Sequence, residues 1–282
     1  MIIVLKDANF ANNNIGEVEV PRLINQFTLN AIAASGNTFT EAQTAALDDF
    51  FEAVGAFGTQ SSIWSKLSKV YMPMLAGSLA RAVVNYKDNN VDVVPSDYYK
   101  IVNHGITRNG ENTSTDKISF DDTWNWNNRS VYVFLTEELA TTSHGVIGKN
   151  NVTSANWRAL RLIQSSSSAQ LQACAKGTTT YLSSVASGLG AVTPMLRGAT
   201  KTGTSVAYLN GTTTTLKTGN GDAAQYCTDD SCTIFPFAAA TDGGFNSGTP
   251  ATGAFFWGAG LTAAEAETLG AAMQTLWTAI NV

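Results

Sequence analysis

Between Val192 and Asn220 the sequence VTPMLRGATKTGTSVAYLNGTTTTLKTGN reads as an antiparallel β-meander. Two β-rich runs, Met195–Ala199 and Ser205–Leu209, flank the polar Thr200–Thr204, and a run of threonines follows the Asn210-Gly211 pair. Asn-Gly is a strong hairpin signal because a two-residue type I′ turn needs positive φ at both central positions. Threonine at 212 to 215 suits a pleated, half-exposed surface. A meander of this kind belongs in a sandwich whose other strands the flanking chain must supply.

Composition agrees with that demand. Charged residues make up 14% of the 282 and hydrophobic ones 44%, with 24 glycines. Thr, Ser and Asn stand where charge is missing, which favours strands and turns over long solvated helices, and the length suffices for a large core. A net charge of −5 without a Lys/Arg run argues against nucleic acid, whose phosphates need clustered cations, and against an anionic membrane surface. No apolar run approaches a membrane span. MIIVLKDANF has too short an apolar core for a signal peptide, so the chain is expected to be made in a cytoplasm.

The three cysteines are Cys174 and the pair Cys227 and Cys232. Cys-x4-Cys without a nearby His or further Cys is a poor zinc site, which wants four N/S ligands. A local disulfide between Cys227 and Cys232 stays open if the loop Thr228–Ser231 brings their Cα atoms within reach; idle thiols are the plainer reading. Neither a metal nor a cofactor is expected.

In chain order, residues 1–20 combine a short apolar strand, the turn Asn12–Asn14 and the alternating run Ile15–Val20. So little apolar surface must lean on the body, a sister subunit or a partner. Residues 21–80 carry the helical signal. Thr38 with Glu41 has capping-box spacing, and Thr40 is the alternative cap. Ala42, Ala46, Leu47, Phe50, Phe51 and Val54 then recur at helical spacing. Ile63, Leu67, Val70 and Tyr71 predict a second short helix stopped by Pro73. Both faces serve core packing or an oligomer contact.

From Arg81 the periodicity turns to strands, at Val83–Tyr86, Tyr98–Val102, Ile118–Phe120, Arg129–Leu135, Gly145–Gly148, Trp157–Ile163, Gln170–Ala175, Thr233–Ala238 and Ala254–Gly258. Gly105–Gly110 and Ser183–Gly190 are expected as loop. The spacing predicts a sandwich of about 10 to 14 strands. Thr262 and Glu265 form a capping box for a last helix with Leu269, Met273, Leu276, Trp277 and Ile280 on its apolar side. The expected organisation is an N-terminal segment 1–20, a helical region 21–80, a β-sandwich 81–260 and a C-terminal helix 261–282.

Several pieces taken together, KDANFANNNIGEV, IWSKLSKVYMPMLAGSLARAVVNYKD, NNRSVYVFL, SVAYLNG and FFWGAGLTAAEAETLGAAMQTLWTAI, resemble virion structural proteins of tailed bacteriophages, the crAss-like group among them. The resemblance spans nearly the whole chain, each piece being a loose pattern rather than a chemical signature. It implies a mainly β fold, a concanavalin A-like or laminin-G-like jelly-roll sandwich preceded by short amphipathic helices and closed by a C-terminal helix. It also implies a non-enzymatic fiber, spike or head-decoration protein, trimeric, located in the virion, whose N-terminus attaches to other virion proteins. Residue by residue, attachment would fall on Lys6, Asp7, Asn9, Phe10, Ile15 and Gly16. An extended segment binds in this way by adding a strand to a partner sheet or wedging Phe10 into a pocket.

Catalysis on such a sandwich would need two carboxylates across a cleft. Asp48-Asp49, Asp121-Asp122, Glu137-Glu138 and Asp229-Asp230 are the clustered acids. None has the Glu-x-Asp-x-x-Glu pattern of concanavalin-like glucanases, and neighbours on a strand point to opposite faces. His104 and His144 stand beside glycines without a recognisable nucleophile motif. Glycan binding without catalysis fits better, on Trp124, Asn125, Trp126 and Asn128, since sugars stack on aromatic rings while amides take their hydroxyls. Tyr226 lies in a second candidate loop, where Asp229 and Asp230 offer oxygen ligands of the kind calcium takes, a weak pairing. The readings carried forward are host-surface glycan adhesion, a purely structural decoration, and a polysaccharide-cleaving enzyme as the least supported.

Overall fold

The computed structural model describes residues 22–58, 63–91, 99–102, 104–108, 118–121, 128–136, 144–145, 147–148, 159–165, 168–174, 181–186, 194–203, 205–218, 231–234 and 251–281. In chain order these form α1 (Gln26–Ser35), α2 (Glu41–Ala53), the single turn α3 (Ile63–Lys66), β1 (Leu67–Tyr71), β2 (Val84–Asn85), β3 (Asn90–Val91), β4 (Tyr99–Val102), β5 (Gly105–Arg108) and β6 (Ile118–Asp121). There follow β7 (Asn128–Leu135), β8 (His144–Gly145), β9 (Ile147–Gly148), β10 (Ala159–Ser165), β11 (Ser168–Cys174) and β12 (Tyr181–Ala186). The chain continues with β13 (Met195–Thr202), β14 (Ser205–Asn210), β15 (Thr213–Thr218), β16 (Ser231–Ile234), β17 (Thr252–Gly258) and α4 (Ala263–Ile280). The fold is mainly antiparallel β, with short helices before the strands and one long helix after them.

A large sheet runs β15-β14-β13-β7-β17-β1-β2-β3, with the β4–β5 hairpin joined through β5 to β17. A four-stranded sheet, β12-β11-β10-β8, and a three-stranded one, β6-β16-β9, make up the rest. β7 reads NRSVYVFL and is buried along all but its first residue, as a central strand covered on both faces should be. Alternation divides its neighbours. Tyr132, Phe134, Leu196, Leu209, Ala254 and Phe256 join one core with Leu47, Phe50 and Phe51 of α2 and Leu269, Met273 and Trp277 of α4. Phe50 meets Phe256 at 6.4 Å between ring centroids, and Phe134 meets Trp277 at 5.5 Å. The opposite face carries Arg129, Val131, Val133, Arg197, Ala199 and Lys201, all buried, and β10 and β11 pack against β13 there.

The meander forms at β13, β14 and β15, with one correction. Asn210 pairs with Thr213, so the two-residue turn is Gly211-Thr212, one position later than the Asn-Gly signal predicts. Gly211 has φ 69°, and glycine at the first central position is the type II′ arrangement rather than type I′. Gly203, φ 60°, holds the same place after β13. Both turns use glycine where a side chain would be strained.

Two helix expectations also change. The cap of α2 is Thr40, boxed with Gln43, because the first helical residue is Glu41 and the reciprocal partner must sit three beyond the cap. The apolar stripe Ile63, Leu67, Val70 and Tyr71 is mostly strand: after the single turn α3, β1 pairs with β17 from Leu67↔Gly258 to Tyr71↔Phe255. A bulge between Leu67 and Lys69 resets the alternation, so Leu67 and Val70 both join the helix-covered core while Tyr71 is buried on the other face of the sheet, and the three together imitate helical spacing. Gly105–Arg108 and much of Ser183–Gly190, expected as loop, lie in β5 and β12. Ile106 is fully buried and pairs with Thr252, and the serines of β12 pair with β11. With these and the two-residue pairings, the described residues hold 17 strands, above the expected range.

At the far end, α4 starts at the predicted capping box, Thr262 with Glu265, and its five predicted apolar residues are buried. α1 is held onto α2 by a buried carboxylate. Asp48 Oδ1 accepts from Thr28 Oγ1 at 2.6 Å and from the Asn25 N–H at 3.0 Å, and Oδ2 takes Arg22 at 3.2 Å.

Candidate functional site

The strand ends that flank the two candidate binding segments are described. Asp121 ends β6 and Ser231 begins β16, and the two are ladder partners. In the large sheet Asn128 pairs with Thr202, Thr202 with Ser205, and Ser205 with Thr218. Segment 122–127 therefore joins Asp121 to Asn128, and segment 219–230 joins Thr218 to Ser231. Both are strung between the same two places, a rim of the large sheet and the Asp121–Ser231 rung. Six residues bridge no more than about 25 Å, so the first of these segments is short and tied at both ends.

Trp124, Asn125 and Trp126 of the first segment, and Tyr226, Cys227, Asp229 and Asp230 of the second, lie outside the described residues, as do Lys6, Asp7, Asn9, Phe10, Ile15 and Gly16. Asn128 is described and exposed. Its Oδ1 accepts the Gly260 N–H at 2.8 Å, which fastens the connection from β17 to α4 onto the first residue of β7. Beneath it, the Leu261 N–H donates to Ser130 Oγ and Thr200 Oγ1 donates to Leu261 O, each at 2.8 Å, while Ser130 Oγ donates to Thr200 Oγ1 at 2.9 Å. The rim is thus a rigid polar floor.

Two cations lie next to it, and a third lies further along the same face. Arg129 and Lys201 are directly opposite on β7 and β13, and Arg197 sits two residue pairs further along the same face. They are 5%, 2% and 1% exposed. Arg129 lies over the Trp257 ring at 5.5 Å, and Arg197 Nε donates to Asn210 Oδ1 at 3.1 Å. Burial pushes Lys201 down to about 8 and Arg197 down to about 10. The signal that could have found them is alternation: residues 129, 197 and 201 occupy inward positions of strands that are otherwise apolar there.

Other candidates take structural places. Asp48 and Asp49 both bind Arg22. His104, in the left-handed region at φ 54°, sets its ring edge against Trp277 at 5.5 Å and 87°. Among the described residues no group of three or more His, Cys, Asp or Glu is placed to hold a metal, and no helix is long and apolar enough to cross a membrane.

No family model matches the chain, and no curated protein does. Solved structures do. The binding domain of botulinum neurotoxin serotype D aligns at TM-score 0.51 and 11% identity, over 74% of this chain and 52% of that one. Trypanosoma rangeli sialidase in complex with sialic acid aligns at TM-score 0.54 and 10% identity, over 84% of this chain and 39% of that one. The chain spans about half the length of the neurotoxin domain and about two-fifths of the sialidase. At such identity the likeness establishes a shared β-sandwich fold; the sialidase's activity does not come with it.

Proposed function

We propose that this chain is a non-enzymatic, lectin-like adhesion module of a bacteriophage virion, binding host-surface glycans at the rim where segments 122–127 and 219–230 are anchored. The observation that carries the reading is the shared anchoring. Segments 122–127 and 219–230, which hold Trp124, Asn125, Trp126 and Tyr226, follow or precede strand ends at the same edge of the large sheet and at the Asp121–Ser231 rung, and loops on a sheet scaffold are where sandwiches place ligand contacts. Likeness to a neurotoxin binding domain and to a sialidase crystallised with sialic acid supports a glycan as ligand. Sequence resemblance to virion proteins supports the setting: a homotrimer held to other virion proteins through residues 1–20. Lys6, Asp7, Asn9, Phe10, Ile15 and Gly16 are its proposed attachment residues.

The test is a glycan array of bacterial-surface and sialylated sugars, probed with the full chain and with the Trp124→Ala/Trp126→Ala double variant. Binding by the first and loss by the second is expected. An array on which the folded full chain binds nothing overturns the adhesion reading. Removing residues 1–20 is expected to abolish incorporation into particles while glycan binding persists.

A further inference from the structure

We propose that Glu267 guards an edge of the large sheet, holding the backbone N–H through which β15 would otherwise pair with β15 of a second copy of this chain.

Register decides which way the backbone of β15 faces. Asn210 and Thr213 flank a two-residue turn and pair directly, so they exchange hydrogen bonds, and alternation gives the next such exchange to Tyr208 and Thr215. Thr214 and Leu216, opposite Leu209 and Ala207, therefore turn their N–H and C=O groups away from β14. Among the described residues β15 is the end strand of the large sheet. The outward N–H of Thr214 is taken by a side chain: it donates to Glu267 Oε1 at 3.0 Å, and Thr214 Oγ1 donates to the same oxygen at 2.6 Å. Those bonds, the hydroxyl's first, hold the Glu267 carboxyl below its ordinary 4.5. At neutral pH the group on this edge is thus a charged acceptor.

Gly270 sets α4 in place for this contact. A Cβ on Gly270 would stand 2.0 Å from the Gly211 carbonyl oxygen, so the helix backbone lies directly on the turn before β15, and Glu267 comes three residues earlier, over Thr214. Leu216 shares the α4-facing side of β15 with Thr214, yet it is 65% exposed. Two positions past the guarded residue, that side of the strand is open.

An identical strand fits this edge by symmetry. β15 reads TTTLKT and carries neither a proline nor a bulge, two of the devices that keep natural edges apart. In the two-fold antiparallel register that sets Leu216 against Leu216, the outward groups of each leucine find partners, and Thr214 falls opposite Thr218 of the second copy. The Thr214 N–H would then donate to that Thr218 carbonyl. Glu267 occupies the donor, and its carboxylate would meet the incoming carbonyl acceptor against acceptor. A six-residue strand is short for a standing interface, so the pairing shows itself as concentration-dependent association once the guard is gone.

The full chain, Glu267→Ala and Glu267→Ala/Leu216→Pro are compared by light scattering after size exclusion at about 2 to 200 μM, where exposed strand edges associate. Melting by circular dichroism checks the fold, and amide exchange at Thr214 reads the guarded bond. Proline at 216 removes only an N–H that faces away from β14, so it blocks a second strand and leaves the existing ladder. Glu267→Ala is expected to exchange faster at Thr214 and to rise with concentration to at least about twice the wild-type mass, as an isologous contact requires. The double variant is expected to return to the wild-type mass. Glu267→Met, which keeps the stem and removes the carboxylate, is the second single variant and should behave as Glu267→Ala. Folded single variants that keep the wild-type mass throughout, unchanged exchange at Thr214, or association that Leu216→Pro leaves intact each overturn the proposal.

Discussion

Lys66 Nζ lies 2.6 Å from both carboxylate oxygens of Glu265, 199 residues further along the chain. The same glutamate closes the capping box of α4, its Oε2 accepting the Thr262 N–H at 2.7 Å. One side chain therefore caps the last helix and ties it to the residue before β1, whose own carbonyl accepts the Ala259 N–H at 2.8 Å. Burial raises the Glu265 pKa, but the bonds from Lys66 and Thr262 outweigh it, and the carboxyl sits below its ordinary 4.5. A depressed carboxylate adds stability that is present in full above the unfolded value and is lost as the pH falls through the folded one. Glu265→Gln is expected to cost about 1 kcal/mol at pH 7. Urea midpoints at pH 7 and pH 3 check this: the gap between wild type and variant should close at the lower pH.

Asp48 is a harder loss. Its carboxylate takes Thr28, Asn25 and Arg22 together, and Thr28 is fully buried. Asp48→Ala leaves Thr28 and the Asn25 N–H without their acceptor at the α1–α2 contact, while Arg22 keeps Asp49, and is expected to cost about 2–4 kcal/mol. Thr28→Val, which removes one donor and keeps the shape, should cost about 1 kcal/mol. Equilibrium denaturation of both variants measures the ratio.

Gly270 sets helix propensity against packing. Alanine in mid-helix gains up to about 1 kcal/mol. Here, however, its Cβ would stand 2.0 Å from the Gly211 carbonyl oxygen, backbone that cannot rotate away. Packing is expected to win, with Gly270→Ala destabilising by about 2 kcal/mol net. A lower Tm by circular dichroism, with α4 still helical, is the result to look for.

Lys201 gives the same direction of pH dependence as Glu265 in a higher window, because a buried cation costs stability until it loses its proton. Burial brings its pKa from 10.5 to about 8, so above pH 8 the unfolded chain binds the extra proton. Stability is then expected to rise from pH 8 towards pH 10. Lys201→Met should flatten that rise. Denaturant midpoints across the interval, wild type against variant, isolate the lysine from other groups.

Local patterns were readable wherever the deciding partner was local. The Thr262–Glu265 box and the apolar run of β7 announce themselves within a dozen residues and are where the sequence puts them, and the three-strand meander forms with its second turn one position later. β1 was misread because its bulge, which exists only against β17, gives a strand the spacing of a helix. β5 and β12 were missed because ladder partners, not composition, make them strands. The same limit applies to the site. Asn128 was visible as a polar residue beside two tryptophans, but its bond to Gly260 spans 132 positions. Arg129, Arg197 and Lys201 look like surface charges until the register puts them on an inward face.

The position of β17 has a consequence for how the protein is made. β17 lies between β7 and β1 in the large sheet, and its last residue, Gly258, pairs with Leu67. A ribosome delivers Leu67 long before Gly258. Throughout that interval the nascent chain carries β1 with one long edge open and β7 with another, and neither can be closed by anything already synthesised. Such unpaired edges favour association between chains. The chain is thus most exposed to association before β17 has been synthesised, and a chaperone that covers open strands should raise its yield.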